Sequence, residues 1–143
     1  MQKAIVSPGA EVLLRTPLPK SIASKASRVG LITNHTGVLP NRRPTYDVLA
    51  EHYTLVALFS PEHGVRGDVD AGGDVPDSID AATGLPVYST YGPSGNAAYR
   101  KMGELDCVFF DIQDVGARYY TYQYTMTEAM EACAAAGVPF VVL

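Results

Sequence analysis

Four short apolar runs, with helix-period segments between them, constrain the fold more than any other feature of this chain. They are RVGLIT (28–33), TLVALFS (54–60), DCVFFDI (106–112) and VPFVVL (138–143). Each is rich in β-branched or aromatic residues and sets two or more apolar residues in succession, the pattern of strands covered on both faces. Helices fit between them. After PNRRP, residues Tyr46, Leu49, Ala50 and Tyr53 fall at i, i+3, i+4 and i+7, and Pro44 suits a first turn. A longer helix is expected from Tyr122 to Ala136, with Met126, Ala129, Met130 and Cys133 along one face. Thr125 and Glu128 have capping-box spacing there, and Gly137 and Pro139 end it. A weaker helix is expected over Asn96 to Met102. The order β-α-β-(long loop)-α-β-α-β predicts an α/β fold, a Rossmann-like parallel sheet with helices on both faces. Residues 1–27, with three prolines in SPGAEVLLRTPLP, read as an N-terminal arm packed on a domain formed by 28–143.

Composition narrows the function classes. A chain of 143 residues with 47% apolar and 18% charged residues can bury a substantial core. The net charge of −4, with no basic stripe beyond the pair Arg42–Arg43, argues against a nucleic-acid partner. No apolar run approaches the roughly 18 residues of a membrane span. The N-terminus lacks the continuous hydrophobic core of a signal peptide, so the sequence as written reads as cytoplasmic, or as secreted or periplasmic where a leader has been removed. Cys107 and Cys133 sit inside apolar segments and read as buried free thiols.

Polar residues gather where the strands end. The first strand runs into NHTG (34–37), the second into PEHGVRG (61–67) and the third into QDVGARYYTY (113–122). Ligands of open parallel sheets bind beyond the carboxyl ends of the strands. Asn34, His35, Glu62, His63, Arg66, Gln113, Asp114 and Arg118 therefore belong to one edge. Each also has a structural reading. Asn34 and Gly37 are ordinary turn residues, His35 can brace its turn, and Asp114 can cap a helix or pair with Arg118. Tyr119, Tyr120, Tyr122 and Tyr124 suit core and rim as well as a sugar platform. Glu62 has little packing value, although a salt bridge within its own loop would also account for it. The loop from Gly64 to Pro86 is longer than compact domains usually carry without a functional reason.

Several chemistries lack their motifs. No dinucleotide or P-loop fingerprint and no Ser nucleophile elbow occurs. His35 and His63 with Asp111 or Asp114 have no diagnostic metal-ligand spacing. Neither metal nor cofactor is expected. A carboxylic acid working with a second carboxylate suits glycoside cleavage.

The segments RVGLITNHTGV, LVALFSPEHGVRGDVDAG, TGLPVYSTYG and LDCVFFDIQDVGARYYTYQYTM, in this order and spacing, closely resemble the exo-β-N-acetylmuramidase family, of the NamZ type. The resemblance runs from about Glu11 to Leu143. It implies a Rossmann-like N-terminal catalytic domain and a glycoside hydrolase that releases terminal, non-reducing N-acetylmuramic acid from peptidoglycan fragments. A non-catalytic muropeptide-binding or inactive fragment is the alternative. Carried over, Glu62 of SPEHG is the main catalytic carboxylate, as general acid, which requires surroundings that favour its neutral form. Asp111 is a second carboxylate or a brace. His63 and Arg66 would hold the loop and the lactyl carboxylate of the sugar. Asn34, His35, Gln113, Asp114, Arg118, Tyr119 and Tyr122 would position the ring. Two departures stand out. Gly73, followed by Asp74, stands where the family often has Glu, and the family continues past the last strand into a C-terminal domain. This chain is thus expected to be the N-terminal part of a longer protein.

Overall fold

The computed structural model describes residues 6–23, 26–73 and 75–143. Asp74 and parts of the expected N-terminal arm lie outside them. The strands are β1 (Val29–Thr33), β2 (Leu55–Ser60), β3 (Ser78–Ile79), β4 (Pro86–Ser89), β5 (Cys107–Asp111) and β6 (Phe140–Val142). They form one sheet in the order β3-β4-β2-β1-β5-β6, parallel throughout except for β3, which runs antiparallel to β4 at the edge. The four expected strands are present, and the sheet is Rossmann-like. Two more strands lie where a long loop was expected. PVYS is short, opens on proline and is only half buried, so it carries no strand periodicity that a sequence reading can use.

The helices are α1 (Gly9–Arg15), α2 (Lys20–Ala23), α3 (Thr45–His52), α4 (Gly95–Met102) and α5 (Tyr122–Ala136). Alternation along the strands divides the core into two layers. Val29, Leu31, Leu58, Cys107 and Phe109 face Leu13 of α1 and Tyr46 and Leu49 of α3. Ile32, Ala57, Phe59, Val108 and Phe110 face Ala98 and Met102 of α4 and Ala129 and Cys133 of α5. Burial of side chains such as Phe59 and Phe109, both fully inaccessible, contributes about 1.5–3 kcal/mol each. Cys107 and Cys133 are buried free thiols, and burial pushes each up to about 11.

Helix α5 has the expected bounds, but its capping differs. Thr121 holds the N-cap position, while Thr125 is already inside the helix and points its hydroxyl back toward the Thr121 carbonyl. The Thr125–Glu128 capping box does not form. At the other end Gly137 adopts φ 69°, and the amides of Gly137 and Val138 close on the carbonyls of Ala134 and Cys133, the left-handed stop that only glycine takes without strain. Met130 is exposed, so the buried stripe of this helix runs through Ala129 and Cys133.

From β1 the chain moves to β2 and β4 on one side, then returns to β5 on the other. The direction of winding therefore reverses between β1 and β5, the place where such sheets leave a crevice.

Candidate active site

The turn after β1 is built on Asn34, Thr36 and Gly37. Asn34 is buried, 1% exposed. Its Oδ1 accepts the Thr36 amide at 2.9 Å and the Thr36 hydroxyl at 2.6 Å, and the Thr36 hydroxyl accepts the Gln113 amide at 2.9 Å. Asn34 is thus a brace between the ends of β1 and β5, not a rim contact. Its Nδ2 has no partner of ordinary geometry, although it lies near enough to the Tyr122 phenol to act on its acidity. At Gly37 a Cβ would stand 2.2 Å from Thr33 Oγ1 and 3.0 Å from the Asp111 carbonyl, so the turn closes onto β5 only with glycine there.

The turn after β2 carries Glu62. Its Oε1 accepts the Gly72 amide at 3.0 Å and its Oε2 accepts the Thr121 hydroxyl at 2.8 Å. The Tyr91 phenol approaches the same carboxylate, which pushes the phenol's own pKa up. Partial burial pushes Glu62 up, but hydrogen bonds from Thr121, Gly72 and Tyr91, with His63 nearby, outweigh it and hold the carboxyl below its ordinary value. The expectation of surroundings that favour the neutral acid is overturned. A carboxylate surrounded by donors is stabilised as the anion.

The rest of that loop is held from within. His63 sits at φ 75°, a left-handed conformation rare for a non-glycine residue. Its Nδ1 lies 2.9 Å from the Val69 carbonyl and its own carbonyl accepts the Val69 amide at 3.2 Å. The ring therefore donates from Nδ1, which leaves Nε2 unprotonated in the neutral tautomer. The Arg66 guanidinium donates to Asp80 through Nε at 3.0 Å and Nη2 at 2.8 Å, and also to the Tyr46 hydroxyl. It lies 4.7 Å from the centre of the Tyr46 ring. Asp80, 8% exposed, also accepts the amide and hydroxyl of Thr83. Burial pushes Asp80 up, but Arg66 and Thr83 hold it below the usual carboxylate range. Arg66 anchors its own loop through Asp80 and Tyr46, as expected of a residue that holds this turn, and its side chain stays partly exposed. Its neighbour Gly67 lies against the His35 ring, where a Cβ would come within 2.3 Å of Nδ1. His35 is exposed, and this packing joins the β1 and β2 turns.

Asp111 ends β5 on the α3 face. Its Oδ2 accepts the Thr45 hydroxyl at the start of α3, and its carbonyl accepts the Thr33 hydroxyl at 2.9 Å. Burial pushes its pKa up and the Thr45 hydroxyl only partly offsets this. Glu62 and Asp111 are therefore driven in opposite directions. Their hydrogen-bond partners are separate: Thr121 and Gly72 for one, Thr45 for the other.

Beyond β5, Asp114 Oδ1 accepts the Gly116 amide at 2.6 Å. It pairs with its own turn, not with Arg118. Gln113 Nε2 donates to the Asp114 carbonyl at 3.1 Å. Arg118 is exposed and takes no part in the ion pairs formed among the described residues. Tyr119, 85% exposed, leans on Tyr120 with ring centres 5.4 Å apart, and Tyr120 meets Tyr122 edge-on at 5.6 Å. Tyr122 is only 5% exposed. It supports the turn from beneath. Thr121, Tyr91 and Asp80 were not expected at this edge. Thr121 and Tyr91 lie within the segments YYTY and STYG, but a hydroxyl in a turn carries no sequence sign of the carboxylate it faces.

The motifs that meet here also decide the chain's kinship, because residues 29–143 match the family described as Exo-beta-N-acetylmuramidase NamZ, N-terminal. This chain belongs to the NamZ family. A NamZ relative, the peptidoglycan beta-N-acetylmuramidase NamZ of Bacillus subtilis (strain 168), is 50% identical over 121 residues, which are 83% of this chain and 29% of that protein. Two crystal structures of DUF1343 family proteins from Bacteroides fragilis NCTC 9343 share the NamZ fold seen here. One has a TM-score of 0.78 at 43% identity, covering 96% of this chain and 34% of the other. The second has a TM-score of 0.71 at 34% identity, covering 98% and 35%. This NamZ-family chain thus spans about a third of the length of the relatives it matches.

Proposed function

We propose that this chain is the catalytic N-terminal domain of an exo-acting peptidoglycan β-N-acetylmuramidase, a glycosidase that releases terminal, non-reducing N-acetylmuramic acid from peptidoglycan fragments. The observation that carries the reading is the Glu62 carboxylate, fixed at the carboxyl edge of a parallel sheet by Thr121, which follows β5, and by Gly72 further along its own loop. An anion held this way suits the carboxylate that faces the positive charge developing at the anomeric carbon. Protonation of the leaving oxygen falls to a second acid. Asp111 braces the α3 start beneath that edge. Arg118 at the rim, in place of Arg66, pairs with the lactyl carboxylate of muramic acid, since a guanidinium fork matches a carboxylate. His35, Gln113, Asp114 and Tyr119 surround the ring, and His63 holds the Glu62 loop. The relatives' remaining length supplies further walls of the cleft.

The test is release of chromophore from a nitrophenyl N-acetyl-β-muraminide. Glu62→Gln should lower the rate by about 10²–10³-fold, the size expected for removing a group that stabilises transition-state charge, with an unchanged circular-dichroism spectrum, and near-normal turnover would refute the assignment. One observation favours a second reading, a muropeptide-binding domain without turnover. A Cβ at Gly73 would stand 2.9 Å from the Asp70 carbonyl, so this loop is folded around a glycine where the family resemblance implies a Glu. Muropeptide binding with no chromophore release would select that reading.

A further inference from the structure

A cavity of about 430 Å³ lies between the loop after β2 and the edge strands β3 and β4. Its volume falls within the range of small-molecule sites, about 300–1,000 Å³. The walls are apolar. Val65, Val69, Val75, Pro76 and Val87 line it, and three of these valines are buried. Ile79 lines it as well and is 66% exposed, which puts this side chain at the mouth. Glu62, Thr121 and Tyr91 form no part of the lining.

The charges in the lining select a chemistry. They belong to Arg66, Asp68 and Asp80. Arg66 and Asp80 offset one another, since the guanidinium donates to that carboxylate through both Nε and Nη2. Asp68 is different. It is exposed and takes no part in the ion pairs formed among the described residues. Its Oδ1 lies against Gly64, another lining residue, where a Cβ would stand 3.1 Å away. The carboxylate is therefore folded back beside the cavity. An anion would meet Asp68 with no unpaired cation to offset it. An ammonium ion instead gains attraction at the mouth while its hydrocarbon leaves water inside.

We infer that this cavity is a binding site for a small aliphatic ammonium ion, its hydrocarbon against the valines and its charged head at Asp68. The inference goes beyond the muramidase reading and does not depend on it. The same loop also holds Glu62. Val69, in the cavity wall, bonds His63 through its amide at 3.2 Å and its carbonyl at 2.9 Å, and Gly72 donates to Glu62 at 3.0 Å. An occupant seated against Val69 thus fixes the segment that delivers the Gly72 amide to the carboxylate.

Titration of n-butylammonium chloride into the ¹⁵N-labelled chain tests it, with sodium butyrate and n-butanol as controls. Shifts are expected at Val65, Asp68, Val69 and Ile79, with a smaller one at Gly72. Butyrate should leave all five unmoved, and butanol should bind more weakly. Asp68→Asn should weaken ammonium binding about fivefold, a change of about 1 kcal/mol, and bring it to the level of butanol. Ala81→Leu, at an exposed position of the lining, should block the cavity and abolish the shifts with Asp68 still in place. No shifts at tens of millimolar ammonium, shifts confined to other surfaces, equal binding of butyrate or butanol, or parental affinity in either variant would each overturn the inference. An unmoved Gly72 amide would overturn the link to Glu62.

Discussion

Thr121 Oγ1 lies 2.8 Å from Glu62 Oε2 and joins residues 59 apart in sequence. The hydroxyl belongs to the N-cap residue of α5 and the carboxylate to the turn after β2, on the far side of β1 from β5. The bond therefore spans the crevice where the sheet reverses its winding. It holds the carboxylate in one orientation and favours its ionised form.

Thr121→Val keeps the shape of the side chain and removes that donor. The Glu62 carboxyl should then titrate at higher pH, as read from its side-chain ¹³C shift, and the catalytic rate should fall about tenfold, the loss of about 1.4 kcal/mol. Thr121→Ser restores the donor and should restore both. An unmoved Glu62 titration in the valine variant would show that the hydroxyl has only a packing role.

Asp111→Asn separates a brace from a proton donor. The amide can still accept the Thr45 hydroxyl through its oxygen, while the half-buried charge disappears. Because burial raises the Asp111 carboxyl in the folded state, its ionisation opposes folding, and this penalty grows as pH rises through its folded pKa. The variant should match or exceed the parent in melting temperature at pH 7, with the difference vanishing in acid, and should keep its turnover within about threefold, roughly 0.7 kcal/mol. A rate loss of the size expected for Glu62→Gln would make Asp111 catalytic.

Acid should loosen the β2 loop before it loosens the sheet. Glu62 and Asp80 both titrate below their ordinary values of 4.5 and 3.8 in the folded chain. Their contribution to stability is present above those values and is lost as pH falls through the lower, folded pKa values. Amide exchange of Val69 and Thr83, measured from neutral pH downward, should accelerate before that of Phe109. Simultaneous loss of protection at all three would remove the loop's separate acid sensitivity.

Arg118→Ala should raise KM about tenfold for muramic acid substrates with little change in kcat, since losing a rim contact costs about 1–1.5 kcal/mol of binding. Masking the lactyl carboxylate as a methyl ester should produce the same loss in the parent and none in the variant. If the variant instead discriminates acid from ester as the parent does, another residue carries that contact.

Local pattern was enough for the elements that carry their own signals. Strands β1, β2 and β5, and the full length of α5 with its glycine stop, follow from runs of apolar residues and one left-handed position, because burial on both faces demands such runs. The same reading misses β4, whose four residues pair with β2 through the backbone and leave little trace in side-chain pattern. It also places Thr125 at a helix start, although the chain's entry into α5 is set by the turn that brings Thr121 to Glu62.

The sequence by itself determined the layered sheet and the gathering of polar turns at its carboxyl edge, since hydrophobic periodicity and strand order act over short stretches. Only the tertiary structure decided what each polar group does there. Arg66 is neutralised by Asp80, 14 residues away, Glu62 is ionised by donors from Gly72 and Thr121, and Asn34 and Tyr122 are buried. A side chain's charge state and availability depend on which groups surround it in space. Those neighbours come from distant segments that no local pattern connects.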